Sequence, residues 1–255
     1  MRTPILALIS GALASVLFTG VAHAAPPTYS PVLTKNPVYK TGALELKECD
    51  EQPVQSGDLD DARVYLEFLM DCLNESWSRQ LAKKNIPFAK PGFEVIAKPG
   101  ARTSCGKFPA GAQAIYCPKN KKITFLLDEA ILAEPFELFL MEVLAHEYGH
   151  HIQQLTGMLR VVDNLKGKSK ARVYDESRRV ELQAECLSGA FIGSVWHSLG
   201  RREFDFRYIV KVAENGYDFR SHGKAKNIAW WLKRGFDAES PSACNTWAAP
   251  KSRVS

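Results

Sequence analysis

Beyond its first two dozen residues, the chain of 255 residues lacks any apolar run long enough to cross a bilayer. That excludes a bundle of membrane-spanning helices. It also lacks internal repeats and low-complexity stretches, which excludes a solenoid and a largely disordered chain. A strong charge of one sign is missing as well. The formal net charge is +5, and the basic residues are interleaved with acids. The densest cationic run, between Arg160 and Arg179, contains "LKGKSKARVYDESRR" and reads as a solvated loop. No nucleic-acid motif accompanies it, so no nucleic-acid partner is expected. The mild basic balance is compatible with weak association with an anionic cell envelope.

What the first residues do contain is an export signature. Arg2 is followed by an uncharged stretch from Pro4 to Ala22, which ends in Ala22-His23-Ala24. A basic start, an apolar middle and a small-residue end describe a signal peptide over residues 1–24, cleaved after Ala24. The run from Ile5 to Val21 is short for a span and carries Ser10, Gly11 and Gly20. The mature chain is expected to be secreted, or periplasmic or held at the cell envelope, with no integral span.

Cysteine is sparse but even in number. Cys49, Cys72, Cys105, Cys117, Cys186 and Cys244 in an exported chain suggest disulfides. Spacing favours Cys105–Cys117 across a Gly-rich turn. It also favours Cys49–Cys72, tying an N-terminal segment to a helix, and Cys186–Cys244, pinning the tail to a central helix.

Hydrophobic periodicity divides the chain. Residues 25–48 are Pro-rich without a clear period and read as a loosely packed arm. Residues 59–82 carry Val64, Leu66, Phe68, Leu69, Cys72, Leu73 and Trp77 at helical spacing, with Asp60 and Asp61 at the positive end of the helix. Residues 93–97, 112–117 and 122–127 read as strands, the last two joined by a polar turn. Helices are expected over 137–154, ending at Gly157, over 176–199, ending at Gly200, and from Gly223 to about Gly235. Residues 248–255 read as a flexible tail. The expected fold is α+β, with one domain over residues 49–247.

The chemistry concentrates in "HEYGH" at 146–150. His146 and His150 stand four apart on a helix, so they project from one face about 5–6 Å apart. Two imidazoles at that separation suit one zinc ion. Glu147 lies off that line, near enough to take a proton from a water the metal activates. The preceding Leu138 to Leu144 is apolar, and two uncompensated histidines there would be costly to bury. Glu181 and Glu185 in "ELQAEC" stand four apart on the next helix, and either could reach the metal. Placing Glu181 on the zinc leaves Glu185 to accept a hydrogen bond from a ligand histidine. His151 is turned about 100° from His150, away from that metal. His197, near a helix end, reads as structural. His222, in the turn "RSHG", is either a stabiliser of a reacting oxyanion or a turn residue.

These residues carry a resemblance to the secreted bacterial neutral zinc metallopeptidase family. It spans roughly residues 49–247 through "CGKFPAGAQAIYCPKNKKITFLLD", "HEYGHHIQ", "ELQAECLSGAF", "SHGKAKNIAWWLKRGF" and "CNTW". The resemblance implies a zincin-like domain in which a small sheet packs on an active-site helix. It implies His146, His150 and Glu181 as ligands to one zinc per chain, with Glu147 as general base. Related glutamate-ligand peptidases usually carry aspartate where this chain has Glu185. Such enzymes pair substrate backbone with a sheet edge, and Ala112, Gln113, Ala114, Ile115 and Tyr116 are the matching stretch. The implied function is a secreted zinc endopeptidase acting on peptide or protein substrates. The alternative is an exported zinc-binding or assembly protein that keeps the fold without turnover, and an intact Glu147 argues against it.

Overall fold

The computed structural model describes residues 29–49, 51–133, 136–216 and 218–255. The expected signal peptide lies outside the described residues. In chain order the elements are α1 (Pro31–Thr34), α2 (Leu59–Ala82), β1 (Gly92–Ile96), β2 (Arg102–Thr103), β3 (Gly106–Lys107), β4 (Ala114–Cys117) and β5 (Lys122–Leu126). Then come α3 (Glu129–Ala133), α4 (Glu137–Leu155), α5 (Met158–Val162), α6 (Lys170–Val195), α7 (Glu203–Glu214) and α8 (Ala225–Ala238). The architecture is α+β, as expected.

The sheet is small and mixed. Its order is β1-β5-β4, with β1 parallel and β4 antiparallel to β5. Central β5 is the most apolar: Ile123, Phe125 and Leu126 are buried. That leaves β4 as an edge, and it packs on α4. The strand is shorter than the sequence suggests. Ala112 and Gln113 precede it, although the Gln113 carbonyl still accepts from the Leu126 N–H at 2.8 Å. The minor β2–β3 ribbon turns around Cys105, with β2 just before that cysteine and β3 just after it.

Helix α6 is the axis of the helical part. It packs on both α4 and α8, and almost every residue from Arg179 to Val195 is buried. Close approach depends on glycines on all three helices. A Cβ on Gly149 of α4 would lie 2.9 Å from the Ala184 Cα on α6, and one on Gly235 of α8 would lie 1.9 Å from the Cys186 carbonyl oxygen. Gly235 therefore sits inside α8 as a contact point instead of ending it, and the helix runs on to Ala238. Helix α6 also differs from expectation. Ser169 caps it by accepting from the Arg172 N–H at 3.2 Å, so it starts at Lys170, and half of the cationic "loop" is helical. Within that stretch Glu176 is buried and bonds both Lys168 and Arg172 at 2.5 Å, so the cations there are paired, not merely solvated.

Two further expectations are corrected. Residues 29–48 are not loosely packed: Leu33, Val38 and Leu44 are buried in the core. The C-terminal stretch is anchored, since Val254 is buried, the Trp231 Nε1–H donates to the Arg253 carbonyl and Asn227 donates to that of Ser255. On α2, Val64 is exposed while Tyr65, Leu66, Leu69, Leu73 and Trp77 form the buried stripe. All three expected cysteine pairs form, with Cα–Cα separations of 6.1 Å for Cys49–Cys72, 5.8 Å for Cys105–Cys117 and 5.4 Å for Cys186–Cys244. No helix of the described residues is long and apolar enough to cross a membrane.

Candidate metal centre and cleft

Where Gly149 brings α4 against α6, the side chains of the HEYGH motif and of Glu181 converge. The His146 Nε2 lies 3.4 Å and the His150 Nε2 3.2 Å from Oε2 of Glu181. All three ligand-capable atoms fall within 4.8 Å of one another. The imidazole rings stand 4.9 Å apart, edge to face. Both Nδ1 atoms are already engaged. The His146 Nδ1 bonds Glu185 Oε2 at 3.0 Å, and the His150 Nδ1 bonds Gln153 Oε1 at 2.9 Å. Since both partners are acceptors, each Nδ1 carries the proton and each Nε2 lone pair points at the shared spot. Two imidazole nitrogens and one carboxylate oxygen, partly buried, are the donor set zinc takes in open catalytic sites, so the residues fit the ion.

The electrostatics agree. Burial opposes protonation of His146 and His150. The carboxylates of Glu181 and Glu185 around His146, and of Glu181 around His150, outweigh it and raise both pKa values. Burial also acts against the charge of Glu181, yet His150, His146 and His222 hold its carboxyl well below the usual range. A pocket that stabilises positive charge this strongly on its imidazoles favours a dication in their place.

Glu147 is buried beside the three. Burial raises its pKa, Glu181 adds to that, the two histidines oppose it, and the Tyr116 backbone N–H on the β4 edge donates to its carboxylate. Behind His146 lies a carboxyl absent from the sequence reading, Glu142. It clusters with His146 and Glu185, and burial together with the Glu185 charge pushes its pKa well up. Behind His150 the support is neutral. Gln153 donates to the Val180 carbonyl at 2.8 Å and to Gln183 Oε1 at 3.0 Å, and Gln183 donates to the Tyr39 hydroxyl and the Cys244 carbonyl. The i, i+3 spacing of His150 and Gln153 could have revealed Gln153. The i, i+4 spacing of Glu142 and His146 was likewise a local signal, whereas nothing local signals Gln183.

The other histidines sort cleanly. His151 is fully buried, its Nε2 on the Ala89 carbonyl at 2.7 Å and its Nδ1 on the Tyr116 hydroxyl at 3.0 Å, so it ties β4 to α4 and stays off the metal. His197 is exposed in a short 3-10 turn and does not line the cleft. His222 joins the centre, with its Nε2 3.3 Å from Oε2 of Glu181. A tight bridge between Phe219 and Gly223 holds its turn, and Arg178 of α6 bonds the Arg220 carbonyl at 3.1 Å. These groups face a cleft of about 920 Å³, whose lining includes Ala112, Gln113, Ala114, Ile115 and Tyr116.

Comparison with known proteins shows the family of the chain. A model of the family described as "putative neutral zinc metallopeptidase" matches residues 32–214. The chain is 26% identical over 208 residues to the uncharacterized protein YpfJ of Escherichia coli K12, covering 74% of this chain and 72% of that one. It is 28% identical over 180 residues to the uncharacterized protein Rv2575 of Mycobacterium tuberculosis H37Rv, covering 58% and 59%. No solved structure matches.

Proposed function

We propose, from the premise that the chain belongs to the neutral zinc metallopeptidase family its residues 32–214 match, that it is an exported zinc endopeptidase of zincin-like architecture. The observation that carries this is the convergence of His146 Nε2, His150 Nε2 and Glu181 Oε2 beside a buried glutamate, under a free sheet edge. His146, His150 and Glu181 hold one zinc ion, and Glu185 fixes the tautomer of His146. When bound, zinc supplies Lewis acidity that makes a water nucleophilic near neutral pH. Glu147 takes the proton of the attacking water on its carboxylate and hands it to the departing amine nitrogen. Burial keeps that carboxylate more basic than usual, which suits both transfers. Edge strand β4 holds the peptide backbone whatever its side chains. His222, at the rim of the cleft, donates from Nε2, to Glu181 in the resting site and to the carbonyl oxygen of bound peptide during reaction. Export is supported by the three disulfides and the N-terminal signature.

The test is metal analysis of the mature protein beside a peptide-cleavage assay with and without chelator. One zinc per chain and chelator-sensitive cleavage are expected. In Glu147→Gln, zinc should stay while turnover falls by at least the roughly 10²–10⁴-fold typical of a lost general base. Tight zinc without cleavage would leave a binding protein. Failure to take up zinc at all would end the proposal.

A further inference from the structure

We infer that the cleft selects polypeptide segments bearing a large apolar side chain on one flank of the scissile bond, and that α7 is the selecting element. The inference rests on the peptidase reading and adds its substrate class.

Helix α7 has three faces. Phe206 and Ile209 are buried. Glu203 pairs with Arg207, and Lys211 with Glu214, along the solvent side. The third face repeats every four residues as Phe204, Tyr208 and Val212, which are 60%, 52% and 50% exposed. Large apolar side chains aligned in water mark a surface that something covers. The occupant is indicated by continuity: Tyr208 and Val212 line the same cleft as His146, Glu147 and His150. Across it stand Phe139 and Val143 from α4, one to two turns before the ligand histidines, and the ring of Phe136 lies 5.7 Å from that of Tyr208, edge to face. A side chain entering from the metal centre therefore meets an apolar wall on each side.

Size and charge narrow the class further. Beyond Tyr116, His150 and Glu181 opens a second hollow of about 300 Å³, lined by Leu159, Val162 and Val180 among others. The main cleft runs from the metal centre and the β4 edge to α7 and keeps an apolar lining there, so the large apolar residue belongs on the α7 flank and a smaller one on the flank of the second hollow. Among the described residues neither hollow is lined by lysine or arginine, while Glu142, Glu147, Glu181 and Glu185 face the larger one. An acidic side chain finds no lysine or arginine partner there and meets the carboxylates that line the cleft.

The experiment uses the mature zinc-loaded protein and a series of otherwise identical peptides with Phe, Leu, Ala, Ser or Asp at each position flanking the cleaved bond. On one flank, kcat/KM for Phe or Leu should exceed that for Ser by about tenfold or more, the scale on which apolar pockets discriminate. Asp should be poorest. Val212→Asp and Tyr208→Ala, both at exposed positions, should compress the Phe-to-Ser ratio. The affinities of the Phe and Ser peptides for the Glu147→Gln protein are measured in parallel, so the subsite is tested without turnover. Cleavage with a flat profile, or a ratio that neither α7 variant moves, overturns this inference and leaves the peptidase reading standing. Selective binding of the Phe peptide without cleavage by the unaltered protein upholds the subsite and overturns the peptidase reading. A dimer by light scattering that Val212→Asp separates, with selectivity unchanged, would assign the stripe to a second copy of the chain and overturn the inference.

Discussion

His146 and His150 stand one helical turn apart and offer the same nitrogen to the same place, yet different chemistry holds them. Behind His146 is charge: the Glu185 carboxylate on Nδ1, with Glu142 beside it. Behind His150 is a neutral amide, Gln153, locked by Val180 and Gln183 and through them to the N-terminal Tyr39 and to Cys244. The first arrangement makes an imidazole more basic, and the second makes it rigid. The difference teaches that one metal can draw electrostatic support from one side of a helix pair and positional support from the other. The largest effect should therefore come from the group both sides share. Glu181→Ala removes the oxygen that both Nε2 atoms face, and should leave the purified protein largely free of zinc after dialysis against a mild chelator. Full zinc content in that variant would move the ligand role elsewhere.

A third histidine on the same helix sharpens the contrast. The ring nitrogens of His151 bond the Ala89 carbonyl and the Tyr116 hydroxyl, not a carboxylate. Burial lowers its pKa to about 4, the Ala89 carbonyl offsetting only part of that, and Lys121 adds to the fall. It is neutral in the folded protein, whereas the unfolded chain binds a proton once pH drops below about 6.5. The folded pKa is depressed, so its contribution is complete above about 6.5 and is lost as pH falls toward 4. A shift of this size corresponds to about 3 kcal/mol at most. Urea unfolding of metal-free protein at pH 7 and pH 4.5 should show the loss, and His151→Gln should lose less over the same interval. Equal losses in both would mean that His151 is not a seat of acid sensitivity.

Next in size is the charged support. Glu185→Ala leaves the proton of His146 Nδ1 without its acceptor and should weaken zinc binding about 10–100-fold, the usual cost of losing such a partner. The site should weaken but survive. If Glu185→Ala empties the centre while Glu181→Ala leaves it filled, the two carboxylates have exchanged roles. Glu185→Gln keeps an acceptor without charge, and so separates the two kinds of support directly. An affinity close to that of the unaltered protein would show that orientation matters on this side as well.

How much of this was legible beforehand depended on range along the chain. His146, His150, Glu147 and the Glu181/Glu185 pair stand out by helical spacing, and the structure brings them together, while which acid meets both histidines depends on how α4 packs on α6. The three cysteine pairs were also readable from separation. What escaped was long-range. Residues 29–48 carry no period, because they are held by single side chains such as Leu33 and Val38 dropping into a core built by other segments. Gly235 read as a stop because a helix–helix contact glycine and a terminal glycine look alike in one dimension. Helix α7 was passed over, although Asp205 capping the Arg202 N–H at 2.8 Å was a local signal for its start. Its role as a cleft wall depends on packing against α8, which no local pattern encodes.

The smallest effects belong to the neutral support, and they test whether it is really a chain. Gln153→Ala deletes the acceptor for the proton of His150 Nδ1 and should weaken zinc toward the lower end, about tenfold, because no charge is lost with it. The links beyond should matter progressively less. Gln183 donates to the Tyr39 hydroxyl at 2.7 Å, and Tyr39 in turn donates to the Leu33 carbonyl at 2.9 Å. Tyr39→Phe removes that hydroxyl while keeping the ring. One neutral hydrogen bond contributes about 0.5–1.5 kcal/mol, and only a part of this can reach the metal centre through Gln183, Gln153 and His150. A drop in zinc affinity of about two- to threefold is expected, with a larger fall in unfolding midpoint. The decisive comparison is the double variant. If Tyr39→Phe acts through Gln153, its effect on zinc should vanish in the Gln153→Ala background, since the link is already cut. Additive losses would show that the N-terminal segment stabilises the fold without steadying His150, and the neutral support would then end at Gln153.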